Sequence, residues 1–456
     1  MRSLFLLTIL SLPLAALNLQ ESEQQALSAN VAIQLTEQDV SQNNYRHLQS
    51  ILSWMPNLTF GSMYAALQKP QNISHMQRQT QLFNNQLVLT QPIYSSELLG
   101  DLKLSKIAKQ GAIAGREMAI NDTLFQVRVL YLDVLYTQKA VEVEQQVIGY
   151  MNTAYQDQQK KFESGSGRTL AVSEAKSALS QEITKYYTAV KAASDAKQQF
   201  VLTIHLDPTK IQGLKLDDSI GIKDYPILMQ KLTALQSIIG GEIAQPASLN
   251  TPFAVFSETE IREWINQARL NRPELKRSHL YVKASEEKSR QTKSQYLPKI
   301  EAFADYGYYT PVNGQFFRQK NDFAGGIQLS WSLFDSLKRE AKVWEGTALK
   351  KAAVIAYEFE NDKVEVTIRN DIKQIEEALF VYLTAADNAE IAKQVLSEAN
   401  ISLSAGVIID ANLQNASRMA AQADLGRRQA EYNYLKSYFQ LRHDAGLDAH
   451  ENLSAD

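Results

Sequence analysis

The chain contains no cysteine among its 456 residues. That excludes disulfides, thiolate metal sites, a cysteine nucleophile and lipid attachment through cysteine. Histidine is scarce too. His47, His75, His205, His279, His443 and His450 are scattered, and none pairs at the spacing of a helical zinc site. Each reads as an ordinary surface or packing residue. The net charge is −3, so no global basic field points to nucleic acid. The chain also lacks a P-loop, a nucleophile elbow and a dinucleotide fingerprint, and "SGSGR" at 164–168 is too short for a phosphate loop. The acid pairs Glu286–Glu287 and Glu376–Glu377 lie on amphipathic helices and read as solvated faces. No cofactor, no metal and no enzymatic activity are expected. After the first residues there is no apolar run long enough for a spanning helix, so any entry into a membrane is through a barrel.

What is present begins with an export leader at 1–17. Arg2 supplies the positive start. Leu4, Phe5, Leu6, Leu7, Ile9, Leu10 and Leu12 form a short apolar stretch, and Pro13, Ala15 and Ala16 a cleavage region. The mature chain therefore leaves the cytoplasm.

The segment "NDFAGGIQLSWSLFDSLKREAKVWEG", 321–346, changes period halfway. Phe323, Gly325, Ile327, Leu329, Trp331 and Leu333 share one face of a strand, with small or polar residues on the other. From Leu337 the apolar spacing becomes helical, through Ala341, Trp344, Ala348, Ala352, Ile355 and Phe359, with no glycine-rich turn or proline between. The pattern occurs twice. Laying Leu89 of "TQLFNNQLVLTQPIYSSELLGDLKLSK" on Leu329 gives an offset of 240. Pro56 and Pro298 each open an earlier strand, at 242, and Gly165 and Gly406 each interrupt a helix, at 241. Three landmarks at nearly one offset predict an internal duplication.

Each half then reads helix, strand, strand, long helix, glycine break, helix. The first repeat is 18–205, with helices at 20–50, 95–163 and 169–205 and strands at 56–67 and 80–93. The second is 258–447, with helices at 258–296, 335–403 and 409–446 and strands at 298–310 and 322–334. Between them, 206–257 reads as a linker with one small helix, expected to sit at the equator of the helical part; 448–456 is a tail. The long helices would each run about 100 Å, a length that implies a coiled-coil-like assembly. Ile120, Leu124, Val127, Tyr131 and Val134 form a narrow seam in the first, and Ile368, Ile372, Ile375, Leu379, Leu383 and Ala386 one in the second.

Strands of this length suit a tilted membrane crossing, but four cannot close a barrel alone, and an open edge cannot lie in lipid. Several copies must share one barrel. Tyr306, Tyr308, Tyr309, Phe323, Trp331 and Phe334 fit membrane-facing or interfacial aromatics. The competing reading is a secreted periplasmic coiled-coil rod without a channel, which explains the helices but leaves the duplicated strand pairs without a use.

The order of elements, the strand ends "LTQPIY" and "LSWSLF", and "QAEYNYLKSYFQLRHDAGL" at 429–447 resemble the TolC-type outer-membrane efflux proteins. The resemblance implies a mainly α chain whose long antiparallel hairpins build an α-barrel, continuous with a transmembrane β-barrel shared by a homotrimer. It implies a Gram-negative outer-membrane location extending into the periplasm, with outer-membrane lipid around the barrel. It implies a periplasmic adaptor (membrane fusion) protein docking at the hairpin tips, and an inner-membrane pump or secretion ATPase that supplies the energy. On that footing Gly165, Gly167, Arg168 and Gly406 mark the tips. Family members carry acidic rings near the tip; here Asn412 and Asn415 stand at those positions, Asp410 is the nearest acid, and Ile408, Leu170 and Ala171 replace expected polar lock residues. The gate is thus expected to close by apolar packing and amide hydrogen bonds. Cargo, from drugs to protein toxins, is left open.

Overall fold

Asn18 opens the first helix. Its side chain accepts the Glu21 amide at 2.7 Å while the Glu21 carboxylate accepts the Asn18 amide, a reciprocal cap. The computed structural model describes residues 16–73, 77–239, 255–311, 320–405 and 410–448. Among these lie α1 (Leu19–Ala29), α2 (Val31–Leu52), β1 (Asn57–Ile73), β2 (Gln77–Tyr94), α3 (Ser96–Glu163), α4 (Thr169–Thr203) and α5 (Pro226–Ile239). They continue with α6 (Glu258–Asn271), α7 (Pro273–Ser294), β3 (Lys299–Pro311), β4 (Lys320–Ser330), α8 (Lys338–Ser404) and α9 (Asp410–Asp444). The leader falls outside the described residues except at its end. There Leu17 makes a parallel bridge with Leu216, its amide donating to Lys215 O at 2.9 Å.

Two expected single helices are each two. The span 258–296 breaks at Arg272, because Pro273 forces its predecessor out of the helical region; Arg272 sits at φ −57°, ψ 117°. The span 20–50 breaks at Asn30, also extended at φ −65°, ψ 128°. The Asn30 side chain accepts the Ala32 amide at 2.8 Å and donates to Thr203 O at 2.9 Å.

The strand-to-helix junctions also differ from each other. In the first half Ser95 alone separates β2 from α3, and its hydroxyl caps the Leu98 amide. In the second half β4 ends at Ser330, not at Phe334, and a connector at 331–337 leads to α8. Ser336 and Leu337 turn the chain at φ 60° and 66°. Buried Arg339 ties the connector back, donating to Ser332 O at 2.7 Å and Leu333 O at 3.1 Å while pairing with Asp335.

Element boundaries recur 241 or 242 residues apart: Val31 and Pro273, Ser96 and Lys338, Thr169 and Asp410, Thr203 and Asp444. So do the helix breaks at Asn30 and Arg272. Left-handed His205 (φ 54°) and Gly446 (φ 68°), just past α4 and α9, do the same.

The chain divides into two compact units, each drawn from both halves of the sequence. One holds residues 1–35, 117–273 and 361–456; the other holds 36–116 and 274–360. The first unit carries the seams. Ile120, Leu124, Val127, Tyr131 and Val134 are buried, as are Ile368, Ile372, Ile375, Leu379 and Leu383. Ala386 is half-buried. At the end of the linker, the Val255 and Phe256 amides donate to Glu376 of α8 at 2.8 and 3.1 Å. It is an anchor for the linker's end and not a merely solvated acid. The second unit carries the sheet.

Candidate functional site

The sheet is an antiparallel meander in the order β1-β2-β3-β4, open at both edges among the described residues. Its register sorts the side chains into two faces. Leu58 opposes Leu89 and Phe60 opposes Leu87; Leu87 opposes Tyr306 and Leu89 opposes Ala304. Tyr306 opposes Phe323, Ala302 opposes Ile327 and Ile300 opposes Leu329. All of these share one apolar face. The other face carries Thr59, Gln86, Thr90, Glu301, Asp305 and Gln328, with Gln86 donating to Asp305 at 2.6 Å across β2 and β3. The apolar face is uncovered: Phe60 is 67% exposed, Phe323 72% and Ile327 71%.

The expected interfacial aromatics divide accordingly. Tyr306 and Phe323 form a cross-strand pair on the apolar face. Trp331 and Phe334 lie in the connector beyond β4, both exposed. Tyr308 and Tyr309 lie in β3, with side chains outside the described residues. Trp331 Nε1 donates to Tyr296 O at 2.9 Å, and the Arg339 guanidinium sits 4.7 Å from the centre of the Tyr296 ring. Arg339 and Tyr296 were missed from sequence, since neither spacing nor periodicity marks a residue that closes a loop.

The α3–α4 hairpin is built from the glycines singled out in the sequence. Gly165 takes φ 77°, its amide donates to Phe162 O, and the Ser166 amide donates to Lys161 O. These two bonds close a helix end with a left-handed residue. Gly167 is needed for close approach: a Cβ there would lie 2.6 Å from Phe162 N. Arg168 is the exposed N-cap residue of α4. Phe162 and Leu170, on either side of the turn, are 46% and 67% exposed. In the second hairpin Gly406 and Ile408 lie outside the described residues. Asp410 begins α9, with its side chain outside them too. Asn412 and Asn415 are exposed in the first turns. Arg418, one turn on, donates to the Asn415 side chain at 2.9 Å.

In the first unit, His443 is not an ordinary surface or packing residue. It lies between Asp122, at 2.8 Å, and Asp444, at 3.2 Å. Burial disfavours its charge, but the hydrogen bonds to Asp122 and Asp444 outweigh that and raise its pKa to about 9. Asp444 also accepts from Gln440 at 2.7 Å and faces Arg272 at 3.6 Å. Burial and the adjacent Asp444 carboxylate push Asp371 up to about 7.

Residues 264–447 match the family model for outer membrane efflux proteins. TolC of Salmonella enteritidis is 26% identical over 172 residues, covering 36% of this chain and 33% of its own. The alkaline protease secretion protein AprF of Pseudomonas aeruginosa is 25% identical over 227 residues, covering 47% and 46%. The chain thus spans between a third and a half of the length of these relatives. The fold extends further: the crystal structure of the Campylobacter jejuni CmeC outer membrane channel superposes with a TM-score of 0.75 at 13% identity, over 96% of this chain and 88% of that one.

The chain, mainly helical with a small two-faced sheet, thus has the fold of the CmeC outer membrane channel. The match to the outer membrane efflux protein model over 264–447 and the similarity to TolC and AprF agree with that fold and support an outer-membrane location.

Proposed function

We propose that this chain is the passive exit duct of a tripartite efflux or type I secretion assembly, conducting what an inner-membrane pump delivers across the periplasm and outer membrane. The observation that carries the reading is the sheet. It has one uncovered apolar face, one polar face and two free edges, while no helix among the described residues is long and apolar enough to cross a membrane. A sheet in lipid must close, and four strands are too few. Three copies joined β1 to β4 give a closed twelve-stranded barrel with the apolar face toward lipid. The matched boundaries of the two halves support a duplicated chain, so that a trimer presents six similar helical repeats.

The exposed hairpin at Gly165, Gly167 and Arg168, flanked by Phe162 and Leu170, is the proposed docking tip for a periplasmic adaptor, together with the hairpin at Gly406. Asp410, Asn412 and Asn415 line the proposed constriction. Closure by packing and amide contacts follows from the single acid there, and Arg418 reduces the pull on cations further. The chain supplies no catalysis and takes no cofactor in this role.

Planar-bilayer recording of the purified full chain tests the reading. Discrete channels from a cross-linkable trimer, with weak block by trivalent cations, are expected. A soluble dimer that never inserts refutes the duct and favours the periplasmic rod. Strong trivalent block that persists in Asp410→Ala refutes the uncharged gate alone.

A further inference from the structure

A groove of about 650 Å³ lies between α7 and α8, within the unit that carries the sheet. Arg290 and Lys293 line it from α7, Lys350 and Lys351 from α8, with Glu286 the one carboxylate in its wall. The groove is fixed by close packing beneath it. Gly346 of α8 lies against α7 so tightly that a Cβ there would be 3.2 Å from the Ser289 Cα. The charges do not cancel. Glu286 pairs with Lys350 at 3.1 Å, and Arg290 reaches outside the lining to Glu287 at 2.9 Å. Lys293 and Lys351 have no ion pair among the described residues. Two ammonium groups from opposite walls are thus left for an anion.

Position along the chain says which anion. Lys293 is one residue from the end of α7 and six before β3. Between groove and sheet stand Tyr296 and Trp331, joined by the indole hydrogen bond. The order is apolar sheet face, interfacial aromatics, lysines. In a membrane this is the order of hydrocarbon, interface and headgroup. We propose that this groove binds the phosphodiester headgroup of an anionic phospholipid from the leaflet on the helical side of the barrel, held by Lys293 and Lys351. The proposal rests on the sheet being the membrane-crossing part.

The test uses the detergent-purified full chain, stripped of lipid and incubated with phosphatidylglycerol or phosphatidylcholine, with retained lipid counted by native mass spectrometry. Wild type is expected to retain phosphatidylglycerol preferentially. The Lys293→Gln/Lys351→Gln variant is expected to bind it about twenty-five-fold more weakly, at roughly five-fold per lysine, while conducting like wild type in a neutral bilayer. Equal retention of the two lipids, or undiminished retention by the variant, overturns the site while leaving the channel intact. Complete displacement of phosphatidylglycerol by millimolar glycerol phosphate overturns a lipid source in favour of a free phosphate. A wild type that forms no channel in any bilayer overturns both proposals.

Discussion

Replacing Asp371 by asparagine should remove most of a built-in sensitivity to alkali. Asp371 is 7% exposed, its Oδ2 has no hydrogen-bond partner, and it faces Asp444, Arg272 and His443. Its carboxyl holds a proton to about pH 7, against an ordinary value of 3.8. A raised acid is protonated in the folded chain where the unfolded chain has already released the proton. Its contribution is therefore full below about pH 4 and lost as the pH rises through 7. From pH 5 to pH 7 that is two units, on the order of 3 kcal/mol, shared by the Asp371–Asp444 pair. His443, raised to about 9, acts in the same direction over a later window, from about pH 6.5 through 9. Asparagine keeps a donor for Asp444 and cannot ionise. Hydrogen exchange of peptides around 365–377 and 437–448, corrected for intrinsic rates, should show wild-type protection falling from pH 5 to pH 8. In Asp371→Asn the fall should shrink to the share of His443. An undiminished fall, or a variant less protected than wild type at pH 8, would refute the reasoning.

Gly167→Ala should destabilise the α3–α4 hairpin by about 1–3 kcal/mol, since the new Cβ meets the Phe162 and Lys161 backbone at 2.6 and 2.9 Å; limited proteolysis across 161–169 should quicken. His205→Gly should raise the melting temperature by the equivalent of about 1 kcal/mol, because it relieves a left-handed non-glycine residue. Tyr131→Phe should cost about 1–3 kcal/mol, since the buried hydroxyl donates to Asp217 O at 2.7 Å. A lower melting temperature of the variant would check it.

The parts legible in the sequence were those governed by local periodicity. Ile120 through Val134 and Ile368 through Leu383 are buried because a long helix has one face to hide. Gly165 and Gly167 mark a turn because only glycine fits the torsion at one and the approach at the other. Pro273 is a signal legible in the sequence, and it breaks a helix as proline should. Asn30 was harder, since its break depends on Thr203, far away in the chain. The connector at 331–337 had no marker: Ser336 and Leu337 are held left-handed by what Arg339 grips. His443 looked idle because Asp122 lies more than three hundred residues away, and no spacing rule reaches that far.

A chain without cysteine makes every introduced thiol unique, so the two faces of β4 can be read one residue at a time. Single cysteines at Phe323, Gly325, Ile327 and Leu329, and at Ala324, Gly326, Gln328 and Ser330, should be placed in the full chain, labelled and reconstituted in bilayers. The first set should be quenched by lipid-borne nitroxides and shielded from a charged thiol reagent; the second should react with that reagent and escape the quencher. Reaction of all eight with the charged reagent, with no alternation, would contradict a sheet that turns one face to lipid and the other to a water-filled duct.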